Sequence, residues 1–190
     1  MQEQFNLSIV IPCYNEGKRL DIEQISFFLK NQLNVLLCFV DDGSKDNTLE
    51  VLNNLKNKFP TAVEVISTEK NGGKAEAVRI GILHCNQQFN QKSIAYLDAD
   101  LATSLEECVE VSQQINSKVV FAFGSRISKI DNQIDRKIYR FFIGRIIATA
   151  ISHQLGVTVY DTQCGCKIIE NELAKKIFQQ KFISKWLFDV

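Results

Sequence analysis

Two aspartates, Asp98 and Asp100, follow the apolar segment 94–97 with one alanine between them. Carboxylates spaced i, i+2 at the end of a strand can share one hard cation. Mg²⁺ typically takes one or two protein carboxylates and fills its shell with water and substrate phosphates. The pattern therefore predicts a divalent metal site that a phosphorylated substrate completes. Asp is also common in turns and helix caps, so the same two residues are compatible with an ordinary solvated turn.

A second candidate is the segment Asn71-Gly72-Gly73-Lys74, which precedes an amphipathic stretch. It puts a flexible turn and a lysine at a predicted helix start, where anions are favoured. An ordinary glycine-rich loop has the same composition. The chain contains no G-x-x-x-x-G-K-[ST] and has no G-x-G-x-x-G after its first apolar run. Neither a P-loop NTPase nor a dinucleotide dehydrogenase is therefore indicated.

Regular structure must position these residues, and the hydrophobic pattern predicts its elements. Short apolar runs bounded by turn residues are typical of buried parallel strands. They occur at residues 7–11, 35–40, 62–66, 94–97 and 119–123, with a further strand at 167–169. Helices are predicted at residues 20–32, 47–58, 74–85, 105–115 and 172–178, with Asp46 as the N-cap of the second. This alternation predicts an α/β fold with a mostly parallel sheet flanked by helices.

The ends of the predicted strands carry the polar residues. In such a sheet, ligands bind beyond the carboxyl ends of the strands, and we expect all five ends to meet at one edge. The motifs that follow the strands are Pro12-Cys13-Tyr14-Asn15-Glu16, Asp41-Asp42-Gly43-Ser44, Asn71-Gly72-Gly73-Lys74, Asp98-Ala99-Asp100 and Gly124-Ser125-Arg126. They contain more ionisable groups than turns alone need, which indicates a binding or catalytic site.

In this order and spacing, the five motifs resemble those of the family-2 inverting glycosyltransferases of GT-A fold. Within that family the chain is most similar to the polyprenyl- and dolichyl-phosphate sugar synthases, particularly the dolichyl-phosphate glucosyltransferase-like branch. The resemblance covers essentially the whole chain. It implies a Rossmann-like GT-A sheet and inverting transfer of a sugar from a nucleotide sugar to a polyprenyl or dolichyl phosphate. For this branch we expect glucose, donated by UDP-glucose.

The resemblance also implies a role for each matching residue. Asp42 would accept a hydrogen bond from a ring N–H of the base, and Lys74 would lie near the nucleotide or its phosphates. Asp98 and Asp100 would hold Mg²⁺ or Mn²⁺ on the diphosphate. The other implied nucleotide-binding positions are Pro12, Tyr14, Glu16, Val40 and Ala99.

Two arginines, Arg126 and Arg140, match basic positions that serve the acceptor phosphate in polyprenyl-phosphate synthases. Arg140 falls in residues 136–155, a basic and apolar stretch that predicts a long helix with little polar surface. Such a helix can lie in a membrane interface with its Lys and Arg side chains at headgroup level. A core helix whose arginines reach outward has the same composition, and the resemblance favours the membrane surface.

The composition limits which classes of protein and which partners are compatible with this chain. The chain has 190 residues, 45% apolar and 23% charged, which excludes a disordered chain. Its 22 basic residues balance 22 acidic ones, so we expect no nucleic-acid partner. No apolar run reaches the ~18 residues of a membrane-spanning helix, and no signal peptide is expected before the first strand. We therefore expect one glycosyltransferase domain over residues 1–190, truncated at its C-terminal end, in the cytoplasm at the inner face of the membrane.

Three positions depart from the family pattern. Ala102 stands where mannose-transferring relatives often carry a metal-binding Gln, which favours UDP-glucose over GDP-mannose. Cys164 and Cys166 replace Ser and Phe in the family's D-x-x-S-G-F-[RK] stretch, without the second Cys or His pair that structural zinc needs.

Two alternative functions stay open. One is a family-2 enzyme with a saccharide acceptor in surface polysaccharide synthesis, and the other is a nucleotide-binding module without turnover.

Overall fold

One sheet positions the candidate site. A computed structural model describes residues 4–124, 164–186 and 188, so Arg126, Arg140 and the predicted helix at 136–155 lie outside the described residues. Within the described part, the sheet has six strands in the order β3-β2-β1-β4-β6-β5. The strands are β1 (Gln4–Cys13), β2 (Val35–Asp41), β3 (Val63–Ser67), β4 (Asn90–Leu97), β5 (Phe121–Phe123) and β6 (Cys166–Glu170).

Strands β1 to β4 are parallel, with β1 between β2 and β4. Strand β6 runs antiparallel between β4 and β5, and β5 therefore points the same way as β1 to β4. The predicted mostly parallel sheet and the convergence of its strand ends are confirmed. The residues that precede β6 reach the same edge from the opposite direction, which the order of apolar runs does not reveal.

The predicted helices in the described part are confirmed. They are α1 (Ile22–Asn31), α2 (Thr48–Lys58), α3 (Lys74–Gln88), α4 (Leu105–Ser112) and α5 (Asn171–Ile177). The predicted N-cap Asp46 is wrong by one residue, because α2 is preceded by Asn47 as its cap. The Asp46 carboxylate instead accepts the N–H groups of Thr48 and Gly17 at 3.0 and 3.2 Å. No described helix is long and apolar enough to span a bilayer.

Side chains that alternate along the strands build a core on each face of the sheet. Ile9 and Ile11 of β1 belong to a cluster with the apolar faces of α1, α2 and α4. Val10 faces the other way, into a cluster with α3 and α5. This two-sided burial explains why the central strands are continuously apolar. The polar residues that follow the strands lie outside these two apolar cores, at one edge of the sheet.

Candidate active site

The carboxyl ends of β1 and β2 lie side by side. Cys13, the last residue of β1, pairs in register with Asp41 at the end of β2. The next residue, Asp42, donates its N–H to the Cys13 carbonyl at 2.8 Å. On its other side β1 pairs with β4 as far as Val10 and Tyr96. The motifs that follow these three strands therefore share one edge of the sheet.

Asp42 is a buried carboxylate that holds the loop before α3. It is 3% exposed, and its Oδ1 and Oδ2 accept the N–H groups of Gly72 and Gly73 at 2.8 and 2.9 Å. The Thr68 hydroxyl also donates to Oδ1, at 3.3 Å. Because charge-assisted hydrogen bonds are stronger than neutral ones, Asp42 fixes the loop backbone. The hydrogen bond from a nucleobase stays a prediction, and it would share an oxygen with these donors.

The Lys74 side chain extends from the end of this loop to Asp98. Gly73 has a φ of 91°, which residues with a side chain rarely adopt, and it turns the chain from the loop into α3. Lys74 is the first residue of α3, and its Nζ lies 2.6 Å from Oδ1 of Asp98, just after β4. The two side chains are 22% and 39% exposed. Two predicted site residues from different strand ends are therefore in direct contact.

The segment 98–100 forms a tight turn that is open to solvent. The Leu101 N–H donates to the Asp98 carbonyl at 3.1 Å, and the Ala102 N–H donates to Asp100 Oδ1 at 3.1 Å. Leu101 has a φ of 49°, a left-handed conformation that costs energy in a residue with a side chain. Asp100 is exposed and Asp98 is partly exposed. Both carboxylates can therefore be reached from solvent.

These carboxylates fit a hard cation whose shell is only partly supplied by the protein. In residues 4–124 and 164–186, no group of three His, Cys, Asp or Glu side chains is arranged to hold a metal ion. Two accessible carboxylates are sufficient for Mg²⁺ or Mn²⁺ when water and substrate phosphates supply the other ligands. Asp98 already holds one cationic group, the Lys74 ammonium. The donor set therefore suits a divalent cation that arrives with a phosphorylated ligand.

Gly165 is a site residue that the sequence analysis did not single out. Its carbonyl accepts the Asp98 N–H at 3.0 Å, because β6 begins beside the end of β4, with Cys166 paired to Leu97. A Cβ atom at Gly165 would lie 2.5 Å from Asp98 Cγ, so only glycine leaves room for the carboxylate. The resemblance to D-x-x-S-G-F-[RK] could have marked this glycine, but its contact with Asp98 depends on the antiparallel pairing.

Glu16 contributes a buried acceptor to the site. Its Oε1 pairs with the Arg19 guanidinium at 3.1 Å. Its Oε2 is buried and has no hydrogen-bond partner among the described residues. Burial raises the pKa of Glu16, the nearby carboxylates of Asp100 and Asp46 raise it further, and Arg19 opposes this shift. Buried acceptors are normally hydrogen-bonded, so this oxygen is available to a donor from water or from a ligand.

The other predicted nucleotide-binding residues differ in accessibility. Tyr14 is 40% exposed, and Pro12 is half-buried. Ala99 and Val40 are buried. Val40 pairs with Pro12 across the sheet and packs against Gly81 of α3. Contact between Val40 and a nucleotide would therefore have to use its backbone.

Cys164 and Cys166 belong to the core next to the 98–100 turn. Both side chains are buried, and neither forms a disulfide. A hydrogen bond between Cys166 and Cys108 of α4 lowers the pKa of Cys166 and raises that of Cys108. Cys164 Sγ lies 3.8 Å from the Thr103 hydroxyl. The two thiols therefore connect β6 and the segment just before it to α4 and to the residues that follow the 98–100 turn.

Several curated proteins are similar to nearly the whole chain. The human dolichyl-phosphate β-glucosyltransferase is 31% identical over 97% of this chain and 60% of its own length. The Saccharomyces cerevisiae protein of the same name is 31% identical over 99% of this chain and 61% of its own length. The chain thus spans about three fifths of the length of these relatives.

Solved structures share the fold at low sequence identity. A mannosyltransferase from Pyrobaculum calidifontis in complex with GDP-Man and Mn²⁺ has a TM-score of 0.62 at 12% identity, over 100% of this chain and 51% of that one. Glucosyl-3-phosphoglycerate synthase from Mycobacterium tuberculosis, in complex with Mn²⁺, UDP and glucosyl-3-phosphoglycerate, has a TM-score of 0.61 at 18% identity, over 89% of this chain and 58% of that one. The predicted GT-A fold is confirmed.

The family follows from the extent of the sequence match. The profile described as Glycosyl transferase family 2 matches residues 8–178, which include most of β1, all of β2 to β6 and the polar turns that follow the strands. The relatives at about 31% identity cover the same elements. The resemblance deduced from the five motifs is confirmed, and the chain belongs to glycosyltransferase family 2.

Proposed function

We propose that this chain forms the catalytic domain of an inverting glycosyltransferase that moves glucose from UDP-glucose to dolichyl or polyprenyl phosphate. The observation that carries the proposal is the charged cluster at the carboxyl edge of the sheet, where Lys74 contacts Asp98 and the charge of Asp100 acts on Glu16. The choice of glucose and of a lipid phosphate is supported by the names of relatives that match 96% to 99% of the chain.

The nucleotide would bind along this edge, with its base near Asp42 and its diphosphate near Lys74. The exposed Tyr14 ring offers an apolar face to the base or ribose. The unpaired Oε2 of Glu16 can accept a hydrogen bond from a ribose hydroxyl. Lys74 supplies a compact positive charge for a phosphate. Ala102 supports UDP-glucose over GDP-mannose, because mannose-transferring relatives often carry Gln there.

Asp98 and Asp100 would hold Mg²⁺ or Mn²⁺ on the diphosphate. A divalent cation bound there would neutralise the charge that develops on the leaving nucleoside diphosphate. Gly165 keeps Asp98 in position, and Asp42 holds the loop that carries Lys74. Two structural neighbours in complex with Mn²⁺ support this choice of cation.

The acceptor would be a phosphate monoester at the membrane surface. Such a group has a second pKa near ~6 and is largely dianionic at neutral pH, so its oxygen needs no strong general base. This oxygen forms the new bond to the anomeric carbon as the bond to the nucleoside diphosphate breaks, with inversion. Arg126 and Arg140 are the proposed acceptor-binding residues, since guanidinium groups bind phosphate bidentately. Residues 136–155 are the proposed membrane-surface segment.

The test is sugar transfer by the full-length protein. Radiolabelled UDP-glucose and GDP-mannose are each supplied with dolichyl phosphate or a soluble saccharide, and the organic-extractable product is counted. We expect extractable product from UDP-glucose and dolichyl phosphate. A soluble labelled product without an extractable one would replace the lipid acceptor with a saccharide. Nucleotide binding without any product would support a binding module.

Arg140 variants examine the acceptor side separately. Arg140→Ala should slow transfer to dolichyl phosphate by about tenfold to a hundredfold at subsaturating acceptor, because one charge-assisted contact is lost. Arg140→Lys should restore only part of the rate, since an ammonium lacks the guanidinium fork. UDP affinity should be unchanged in both variants. Lys30→Ala, at an exposed position in α1, is the control. A wild-type transfer rate in Arg140→Ala would contradict this role.

A further inference from the structure

The contact between Lys74 and Asp98 is unusual in its location. Lys74 begins α3, where the partial positive charge of the helix N-terminus disfavours a cationic side chain. Its Nζ nevertheless lies 2.6 Å from Asp98 Oδ1, and neither side chain is fully exposed. The ion pair of equal length between Lys175 and Glu172 joins neighbouring turns on the surface of α5. The Lys74–Asp98 pair instead connects two strand-end motifs.

The backbone on both sides of Lys74 is fixed. Asp42 accepts the Gly72 and Gly73 N–H groups before it. After it, the Ala75 N–H donates to the Lys185 carbonyl at 2.9 Å. The long lysine side chain can therefore leave Asp98 by changing rotamers while the loop and the start of α3 keep their positions.

The Asp98 carboxylate would then have two possible cationic partners. A divalent metal ion on the same carboxylate would lie close to the Lys74 ammonium, and the two positive charges would repel each other. A metal ion that binds alone would therefore compete with Lys74 for the Asp98 carboxylate. A nucleoside diphosphate that binds with the metal brings phosphate oxygens that can receive the displaced ammonium.

We propose that Lys74 is a resident counter-ion of Asp98, which the metal ion displaces and which then pairs with the nucleotide diphosphate. This inference rests on the metal and nucleotide sites of the proposed function. Its consequence is positive coupling, because the metal releases Lys74 for the nucleotide and the nucleotide removes Lys74 from competition for Asp98. By linkage, each ligand raises the affinity of the other by the same factor.

The first experiment is Mn²⁺ binding to the full-length protein without nucleotide, followed by the electron paramagnetic resonance signal of free Mn²⁺. Lys74→Gln should bind Mn²⁺ about three- to tenfold more tightly than wild type, because the competing ammonium is gone. Lys74→Arg keeps the positive charge, so its Mn²⁺ affinity should stay as weak as that of wild type. Lys175→Gln removes a lysine from an ion pair of equal length and should change affinity less than about twofold. Adding UDP should strengthen Mn²⁺ binding less in Lys74→Gln than in wild type.

A second measurement uses the wild-type protein and needs no variant to fold. Acetic anhydride labels accessible amines, and mass spectrometry compares the peptides that carry Lys74 and Lys175. Mn²⁺ alone should increase labelling of Lys74 about twofold or more, and Mn²⁺ with UDP should reduce it again. Lys175 should be labelled equally in all conditions.

Three results would overturn the inference. The first is an Mn²⁺ affinity of Lys74→Gln that equals that of wild type. The second is a weaker Mn²⁺ affinity in this variant, which would mean that Lys74 supports Asp98. The third is acetylation of Lys74 that does not respond to Mn²⁺. None of these measurements requires sugar transfer. A protein that shows the predicted competition but transfers no glucose refutes the proposed function alone. A protein that transfers glucose without the competition refutes only this inference.

Discussion

Asp42 and Asp98 each follow a parallel strand at the same edge of the sheet, yet the protein holds them in opposite ways. Asp42 is buried, and two glycine N–H groups and a threonine hydroxyl occupy its carboxylate. Asp98 is 39% exposed, and the Lys74 ammonium contacts its Oδ1. Two aspartates that follow neighbouring parts of the same sheet edge are therefore a fixed support in one case and an accessible carboxylate in the other.

This difference in burial predicts that Asp42 contributes to stability and that Asp98 contributes to the chemistry of the site. A buried carboxylate whose oxygens bind backbone donors cannot be changed without leaving donors unpaired. A solvent-accessible carboxylate with a mobile cationic partner can exchange that partner for another cation. We therefore expect substitutions at Asp42 to destabilise the fold and substitutions near Asp98 to affect activity first.

The largest effect on activity is expected from Gly165→Ala. The new methyl group overlaps the Asp98 carboxylate, which must then move. A displacement of about 1 Å in a reacting site costs on the order of a hundredfold in rate, so glucose transfer should fall by about that factor. Gly124→Ala is the matched control, because its methyl group would meet the Cys164 sulfur at 3.0 Å without reaching Asp98. A Gly165→Ala protein with normal transfer would show that Asp98 tolerates displacement.

Asp42→Asn tests the fixed carboxylate. The Asn amide group has one acceptor oxygen where Asp has two, so at least one glycine N–H loses its partner, at a cost of about 1–3 kcal/mol in the free energy of unfolding. Asp98→Asn, at an accessible position, should cost less than about 1 kcal/mol. Urea denaturation of both variants measures the difference. Equal losses would contradict the distinction between the two carboxylates.

Asp100→Ala tests the accessible pair. If Asp98 and Asp100 share a divalent cation, losing one ligand should weaken Mn²⁺-dependent UDP binding by about tenfold. UDP binding without Mn²⁺ should change little. Calorimetric titration of UDP into wild type and Asp100→Ala, with and without Mn²⁺, gives the four affinities needed. Four equal affinities would reject the metal site.

The smallest effect concerns Glu16 and pH. Burial raises the pKa of Glu16 in the folded protein. The folded state therefore holds this proton more tightly than the unfolded state, and stability falls as pH rises from the ordinary Glu pKa through the raised one. Glu16→Gln removes this loss, so the variant should gain about 1–3 °C in Tm over wild type at pH 7 and less at pH 4.

Thermal unfolding at the two pH values measures this gain, with the exposed Glu110→Gln in α4 as control. A variant that is less stable than wild type at pH 7 would show that the Arg19 ion pair outweighs burial. The same variant should bind UDP more weakly if Glu16 accepts a ribose hydrogen bond.

The sequence predicts much of this fold because the sheet is buried on both faces. Continuous apolar runs such as residues 35–40, which are short and end in turn residues, favour central strands, and the amphipathic segments between them cover the sheet. The exception is β6. A short apolar segment carries no information about strand direction, so its antiparallel insertion between β4 and β5 could not be deduced.

The site could be predicted only as a set of residues. Asp98 and Lys74 were identified by their motifs, but their contact depends on how α3 leaves the Gly72-Gly73 loop. The motif that contains Asp42 does not reveal that its oxygens bind this loop. Val40 is predicted to contact the nucleotide, yet its side chain is buried in the core. Side-chain direction and partner choice are tertiary properties, which spacing along the chain does not determine.

The antiparallel β6 also bears on how the protein is synthesised. The ribosome synthesises β1 to β4 before β6. One edge of β4 therefore stays unpaired until β6 has been made. An unpaired strand edge readily joins other chains, and contacts between residues far apart in sequence form slowly. A nascent chain that contains Asp98 but lacks Gly165 has both an incomplete site and an aggregation-prone sheet edge. Correct insertion of β6 thus covers the exposed edge of β4 and completes the candidate site in the same event.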